Sequence, residues 1–148
     1  MTVPQLRVEE QTITFRLLSE DKYWRSGIHL GGRSIDVELE LEAAQTGRAN
    51  WPKLEATLAL LATRYDYFIA KAHTGLRYLA RESALFDEVS LQSVNPYLDC
   101  ITLDYPFSGM LRFQLHFNLD SGYRLDDSGD WIASFLGEHL VGIERVQG

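Results

Sequence analysis

The chain of 148 residues is 45% hydrophobic and 24% charged, and its formal net charge is −7. This length and composition predict a single globular domain over residues 1-148 and exclude an intrinsically disordered chain. The negative charge argues against binding to nucleic acids or anionic membranes, because both require a positive surface, and it permits a basic protein as partner.

Cysteine content and hydropathy indicate a protein of the cytoplasm. Cys100 is the only cysteine, so no intrachain disulfide can form, which fits a reducing compartment. The first ten residues lack the apolar region of a secretory signal, and no stretch approaches the roughly 18 apolar residues that a membrane span requires. We therefore expect a cytoplasmic location and no membrane association.

The first part of the chain predicts strands and a tight hairpin. Thr12 to Leu18 is rich in β-branched and aromatic residues, as strands are. Two further β-rich runs, Tyr23 to Leu30 and Arg33 to Glu42, are separated only by Gly31-Gly32, which is typical of a two-residue hairpin turn. Such a turn fixes the register, and the predicted pairs are Trp24 with Leu39, Arg25 with Glu38, and Tyr23 with Glu40.

The second strand of this hairpin carries a regular row of carboxylates. From Ile35 to Glu42 apolar and acidic residues alternate without interruption. Successive side chains of a strand point to opposite faces of the sheet, so the apolar residues face a core and the acidic ones face water or a partner. The acidic row consists of Asp36, Glu38, Glu40 and Glu42.

A long helical pattern follows the hairpin. Asn50 is a good N-cap, Pro52 suits a first helical turn, and apolar residues then recur at steps of three and four up to Leu79. A continuous helix over 51–82 would measure about 48 Å, which is long for a domain of this size. We therefore predict a kink or break, most readily at Thr74-Gly75, because glycine weakens a helix interior.

The remainder of the chain predicts further strands, which end in a hairpin that turns at Gly137-Glu138. The order of elements is strands, one helix and strands again, which indicates an α+β fold: an antiparallel sheet of about six or seven strands against one long, kinked helix. The predicted strands are Val89 to Val94, Asp99 to Tyr105, Met110 to Leu119, Trp131 to Phe135 and His139 to Val146.

The polar face of the hairpin over residues 99–119 is the best candidate for chemistry. Matching polar faces across its turn predicts Thr102 opposite Arg112 and Cys100 opposite Gln114, with His116 diagonal to Cys100. A cysteine beside a histidine is a candidate thiolate nucleophile, although neither an orienting third group nor an oxyanion hole is visible. The candidate ligand face consists of Cys100, Asp104, Arg112, Gln114 and His116.

Metal and cofactor motifs are missing from the sequence. The four histidines show no H-x-x-x-H, C-x-x-C or H-E-x-x-H spacing, so we expect no zinc site. The acid-rich segment from Asp120 to Asp130 lacks the order of a calcium loop and is better interpreted as a polar connection. Gly31-Gly32 precedes a strand and is not a phosphate-binding loop. We expect no metal and no cofactor.

The layout of the chain resembles a set of small bacterial domains of unknown function, some of which are grouped with the immunity proteins of toxin systems. The segments that carry the resemblance are YWRSGIHLGGRSIDVELELE, the helical run, LQSVNPYLDCITLDY, RFQLHFNLD and FLGEHLVGIERV. The resemblance covers most of the chain in layout and implies a bacterial binding protein. It assigns no catalytic residue.

The sequence leaves three functional hypotheses. The first is a binding protein without enzymatic activity, such as an immunity protein that occludes a basic toxin, because a complementary acidic face speeds encounter. The second is a small-molecule or hydrolase-like site around Cys100 and His116, and the third is a homo-oligomeric domain, such as a homodimer, that associates through sheet edges or its helix face. The residues predicted to bind a partner in the first hypothesis are Tyr23, Asp36, Glu38, Glu40 and Glu42.

Overall fold

A seven-stranded sheet and two α-helices account for most of the residues that the structure describes. The computed structural model describes residues 3–18, 23–82, 95–104, 112–120 and 129–147. The strands are β1 Leu6–Val8, β2 Gln11–Ile13, β3 Arg16–Leu17, β4 Tyr23–Leu30, β5 Arg33–Glu40, β6 Asn95–Asp104, β7 Arg112–Asp120, β8 Gly129–Leu136 and β9 His139–Gln147. The helices are α1 Trp51–Thr63 and α2 Tyr65–Glu82, preceded by a short 3-10 helix, Ala43–Arg48.

The large sheet follows chain order, β3-β4-β5-β6-β7-β8-β9, while β1 and β2 form a separate two-stranded sheet. Every pair in the large sheet is antiparallel except β5 and β6, which are parallel. A parallel pair requires a long crossover, and the helices lie in that connection. The predicted α+β class is therefore confirmed, and the sheet is mixed rather than wholly antiparallel. The predicted strand Val89 to Val94 lies outside the described residues.

The β4–β5 hairpin has the predicted register. Its pairs are Trp24 with Leu39, Arg25 with Glu38 and Tyr23 with Glu40. Gly31 and Gly32 form the turn with φ angles of 57° and 78°. Two successive positive φ angles define the turn whose twist matches that of the flanking strands, and glycine adopts them without steric cost.

The helical segment consists of two helices rather than one. Asn50 caps α1, as predicted, by accepting a hydrogen bond from the Lys53 amide. The break falls at Arg64, where φ is −115° and ψ is 35°, and not at the predicted Thr74-Gly75. Gly75 lies inside α2, where a Cβ atom would approach Ile143 Cγ2 to 3.0 Å. Glycine at this position therefore lets the helix pack closely on β9 and does not interrupt it.

The core lies between the helices and one face of the large sheet. Phe68 of α2 is fully buried, and its ring contacts those of Phe113 and Phe135 edge to face, with centroid distances of 5.4 and 5.1 Å. Apolar residues of both helices and the inward residues of the central strands belong to the same buried cluster. The helices therefore cover this face, and the polar residues that alternate with the buried ones point to the other. No helix in the described residues is long and apolar enough to cross a membrane.

Candidate functional site

The sheet face opposite the helices carries the polar side chains of five neighbouring strands. Strand alternation and the observed registers align these side chains in rows that run across the sheet. One row passes through Asp36, Cys100, His116 and Ile132. The next row passes through Arg25, Glu38, Thr102, Gln114 and Ser134. We call this surface the polar face.

The acidic row occupies β5, an interior strand of the sheet. Asp36 and Glu40 are exposed, whereas Glu38 is half-buried and forms a salt bridge of 2.7 Å with Arg25 Nη2. The hydrogen bond and the negative charge of Glu38 raise the pKa of Arg25. Glu42 lies beyond the end of β5 and is exposed. In the described part of the chain, no salt bridge reaches Asp36, Glu40 or Glu42.

A depression of about 200 Å³ opens on the polar face between β4 and β7. Two of the predicted partner-binding glutamates and Tyr23 border it, together with the Thr102 hydroxyl and the Gln114 amide. The lining residues are Tyr23, Glu38, Glu40, Thr102, Leu103 and Gln114. The structure thus brings part of the predicted partner surface and part of the predicted ligand face to one place.

The β6–β7 register differs by two residues from the predicted one. Thr102 lies opposite Gln114 rather than Arg112, and Cys100 lies opposite His116 rather than Gln114. A shift of two residues keeps every side chain on its face, so the division into polar and apolar faces holds. Asp104 is the backbone partner of Arg112. The connection between β6 and β7 and the side chain of Asp104 lie outside the described residues.

Three side chains form a hydrogen-bonded series across β8, β7 and β6. Asp130 Oδ2 lies 2.7 Å from His116 Nδ1, and His116 Nε2 lies 3.1 Å from Thr102 Oγ1. His116 is largely buried, with 16% of its side chain exposed, whereas Asp130 is 44% exposed. The carboxylate favours a proton on Nδ1, which leaves Nε2 of the neutral ring as an acceptor that faces the threonine hydroxyl.

The Gln114 amide extends this series to Ser134. Gln114 Oε1 accepts a hydrogen bond of 3.2 Å from Thr102 Oγ1, and Gln114 Nε2 donates one of 3.2 Å to Ser134 Oγ. When both ring nitrogens of His116 carry a proton, Nε2 donates to Thr102, Thr102 donates to Gln114, and Gln114 donates to Ser134. With a neutral ring, Thr102 donates to His116 instead, and a rotated amide satisfies both hydroxyls. The network therefore accommodates both charge states of His116 without an unpaired group.

Cys100 is not arranged as the nucleophile that the sequence suggested. Burial raises the pKa of its thiol to about 12, and Glu38 and Asp36 reinforce this effect. Its Sγ atom donates to the carbonyl of Ile101 at 3.6 Å, whereas His116 bonds to Thr102 and Asp130. Arg25 favours the thiolate and lowers the pKa of Cys100, but this effect is the smallest and does not offset burial and the nearby carboxylates.

We expect Cys100 to react slowly with iodoacetamide. A pKa near 12 instead of 9 leaves far less thiolate at neutral pH, and the alkylation rate of the folded protein at pH 7.5 should be at least about 100-fold below that of the unfolded chain. The rate should keep rising with pH beyond 9, where an ordinary thiol levels off. Mass spectrometry of timed samples measures it, and a rate equal to that of the unfolded chain would contradict the assignment.

The sequence pointed to this surface but missed two of its residues. Thr102 appeared only as a register partner, and Asp130 was assigned to the end of a polar loop, whereas it lies in β8. The sequence predicts this strand only from Trp131 onward, whereas β8 begins at Gly129 and includes Asp130. Among the described residues, no group of three or more His, Cys, Asp or Glu side chains is placed to hold a metal ion.

The fold and the polar face define an α+β domain with a mixed sheet that is covered by helices on one side. Comparison with protein-family models, with curated proteins and with solved structures finds no match to this chain.

Proposed function

We propose that the protein is a protein-binding module that receives a basic partner on the acidic part of its polar face. The observation that carries this proposal is the position of Asp36, Glu38 and Glu40 on β5, with β4 and β6 hydrogen-bonded on either side. An interior strand is hydrogen-bonded to a neighbouring strand on each side. The backbone of β5 therefore holds the three carboxylates at a fixed spacing before a partner binds. Of the three, Glu38 alone forms a salt bridge in the described residues.

A fixed row of like charges suits association with a basic surface. Such a row attracts the partner during diffusional encounter, and its effect on the association rate exceeds its effect on the final affinity. Because β5 already fixes the backbone, binding requires little additional ordering there. Tyr23 lies opposite Glu40 in the register and supplies an aromatic side chain, a residue type that is enriched at the centres of interfaces.

The class of partner that fits best is a basic toxin, with this protein acting as its immunity protein. Support comes from the layout resemblance to bacterial domains that are grouped with immunity proteins and from the net charge of −7. An enzyme that acts on nucleic acid needs a positive surface at its active site. An acidic face that covers this surface would exclude the nucleic acid, because its carboxylates would pair with the same positive charges of the enzyme.

The proposal is tested by affinity capture from a lysate of cells that express the protein. Wild type should retain a basic protein at near-stoichiometric amounts at low salt and lose it at high salt. The double variant Asp36→Lys/Glu40→Lys should lose it at both, because it reverses the two exposed charges of β5. Quantitative mass spectrometry of the eluates measures the difference.

A matched control separates the location of the charges from their number. Glu10 and Glu82 are exposed acids in the β1–β2 turn and at the end of α2. Glu10→Lys/Glu82→Lys also changes the net charge from −7 to −3, because each replacement adds two positive units. This variant should capture the partner as wild type does. Equal loss from both double variants would show that total charge, and not the β5 row, determines binding.

A further inference from the structure

The series Asp130–His116–Thr102 has the geometry of a nucleophile, a general base and a group that orients the base. The two contacts measure 2.7 and 3.1 Å, both within the range in which a proton can be transferred. The acidic row plays no part in them, and the core does not require them. Because these contacts lie on the polar face and not in the core, we interpret them as a catalytic arrangement.

We propose that Thr102 is the nucleophile of a hydrolytic site that cleaves small esters bearing a cationic group. His116 acts as the general base, and Asp130 is a positioning residue that fixes the ring. This activity departs from the sequence-based expectation of a protein without enzymatic function. It does not rest on the binding proposal, because the reacting groups lie on β6, β7 and β8, and the acidic row of β5 affects only the charge of the substrate.

The reaction starts from a neutral His116, to whose Nε2 atom at 3.1 Å Thr102 donates its proton instead of donating it to Gln114 Oε1. Thr102 Oγ attacks the ester carbonyl carbon while its proton passes to His116 Nε2, and Asp130 stabilises the imidazolium that forms. The tetrahedral species collapses, the ester C–O bond breaks, and the departing alcohol takes the proton from Nε2. Water then attacks the acyl-threonine through the same base, which releases the acid and restores the hydroxyl.

The depression beside Thr102 provides room for the acyl group. Thr102 and Gln114 form part of its lining, and its volume of about 200 Å³ limits the substrate to a small molecule. The Gln114 amide lies 3.2 Å from Thr102 Oγ1. In the structure the amide oxygen faces Thr102 and the N–H group faces Ser134. When Thr102 donates to a neutral His116 instead, rotation of the amide turns an N–H group toward Thr102, where it can donate to the developing negative charge.

The charge of the substrate follows from the other lining residues. Glu38 and Glu40 border the same depression, and Glu40 is exposed. Because Glu38 is paired with Arg25, Glu40 carries the net negative charge here, and it forms no salt bridge in the described residues. This charge repels anionic substrates and attracts an amine or guanidinium group a few atoms from the ester carbonyl. A cationic group in this position also offsets the repulsion between the carboxylates and the oxyanion. The site therefore fits a short acyl ester with a terminal cation.

The test measures release of 4-nitrophenolate from 4-nitrophenyl 4-guanidinobutanoate, with 4-nitrophenyl butanoate as the uncharged match. Wild type should hydrolyse the cationic ester above the buffer rate and with a kcat/KM about 10-fold higher than for the uncharged one. His116→Gln should lower kcat about 100- to 10,000-fold, the usual contribution of a general base. Thr102→Val should abolish the acyl-enzyme, whereas Thr102→Ser should retain it.

Two further readouts distinguish chemistry from structure. Mass spectrometry of the acid-quenched reaction should place the acyl group on the peptide that contains Thr102, and Cys100→Ser should leave both rate and label unchanged. Asp130→Asn should lower kcat and shift the pH profile, because an amide does not stabilise the imidazolium, while the free energy of unfolding changes little. A wild-type rate equal to that of Thr102→Val, or a label on another residue, would overturn the proposal.

Discussion

Replacing Phe68 by alanine should lower the free energy of unfolding by about 3–5 kcal/mol, the largest stability effect that we expect from a single substitution. Phe68 is fully buried and lies in edge-to-face contact with Phe113 of β7 and Phe135 of β8. Truncation removes the transfer free energy of the ring and leaves a cavity that two sheet strands border. Because the sheet is held by its hydrogen bonds, it cannot collapse onto the helix to fill that cavity.

Urea unfolding followed by tryptophan fluorescence measures this loss. Tyr78→Ala is the matched control on the same helix, because it also removes an aromatic ring, yet the residue is 60% exposed. The control should change the free energy of unfolding by no more than about 0.5 kcal/mol. A loss below about 1.5 kcal/mol for Phe68→Ala would mean that α2 does not pack on the sheet through this ring.

Gly31→Ala should lower the free energy of unfolding by about 2–5 kcal/mol, which is the second largest stability effect that we expect. An L-residue at a φ of 57° is strained by about 1–2 kcal/mol, and a Cβ atom here would lie 2.6 Å from Cε2 of Tyr65. The half-buried Tyr65 ring must move to admit the methyl group, which adds an overpacking cost of about 1–3 kcal/mol.

Gly32→Ala separates the two causes. Gly32 has a φ of 78°, so alanine is strained there as well, but a Cβ atom would meet nothing within 4 Å. This variant should lose only the strain, about 1–2 kcal/mol, in the same urea titration. Equal losses at Gly31 and Gly32 would show that the turn does not pack against the start of α2.

The parts of the fold that depend on neighbouring residues could be predicted from the sequence. Gly31-Gly32 determined the turn type, and the turn then fixed every pair of the β4–β5 hairpin. The predicted strand Met110 to Leu119 overlaps β7, and Phe113, Leu115 and Phe117, which alternate with polar residues along it, are buried. In these segments, local conformation and side-chain period point to the same structure.

Features that depend on distant contacts could not be predicted. The sequence around β5 does not indicate that β6 pairs with it in parallel, because more than fifty residues separate the two strands along the chain. The helix breaks at Arg64, whose side chain pairs with Glu138 in the β8–β9 turn. The local sequence indicates a weak point in the helix at Gly75. The close approach of Gly75 to β9 is a tertiary contact, which no local pattern reveals.

The sequence predicts which residues share the polar face but not which of them contact each other. The polar alternation of β6 and β7 placed Cys100, Gln114 and His116 on one face. Their register depends on the length of the connecting turn. An error of two residues in the register gave both Thr102 and Cys100 the wrong partners on β7. Asp130 enters the site only because β8 pairs with β7, which no local pattern specified.

The central claim is that the acidic row of β5 guides a basic partner to this protein. Stopped-flow measurement of the association rate with the captured partner, over a range of ionic strengths, tests it most directly. The rate for wild type should fall steeply with salt, whereas Asp36→Lys/Glu40→Lys should associate at least about 10-fold more slowly at low salt and respond less to it. An association rate for this variant equal to that of Glu10→Lys/Glu82→Lys at every ionic strength would contradict the account.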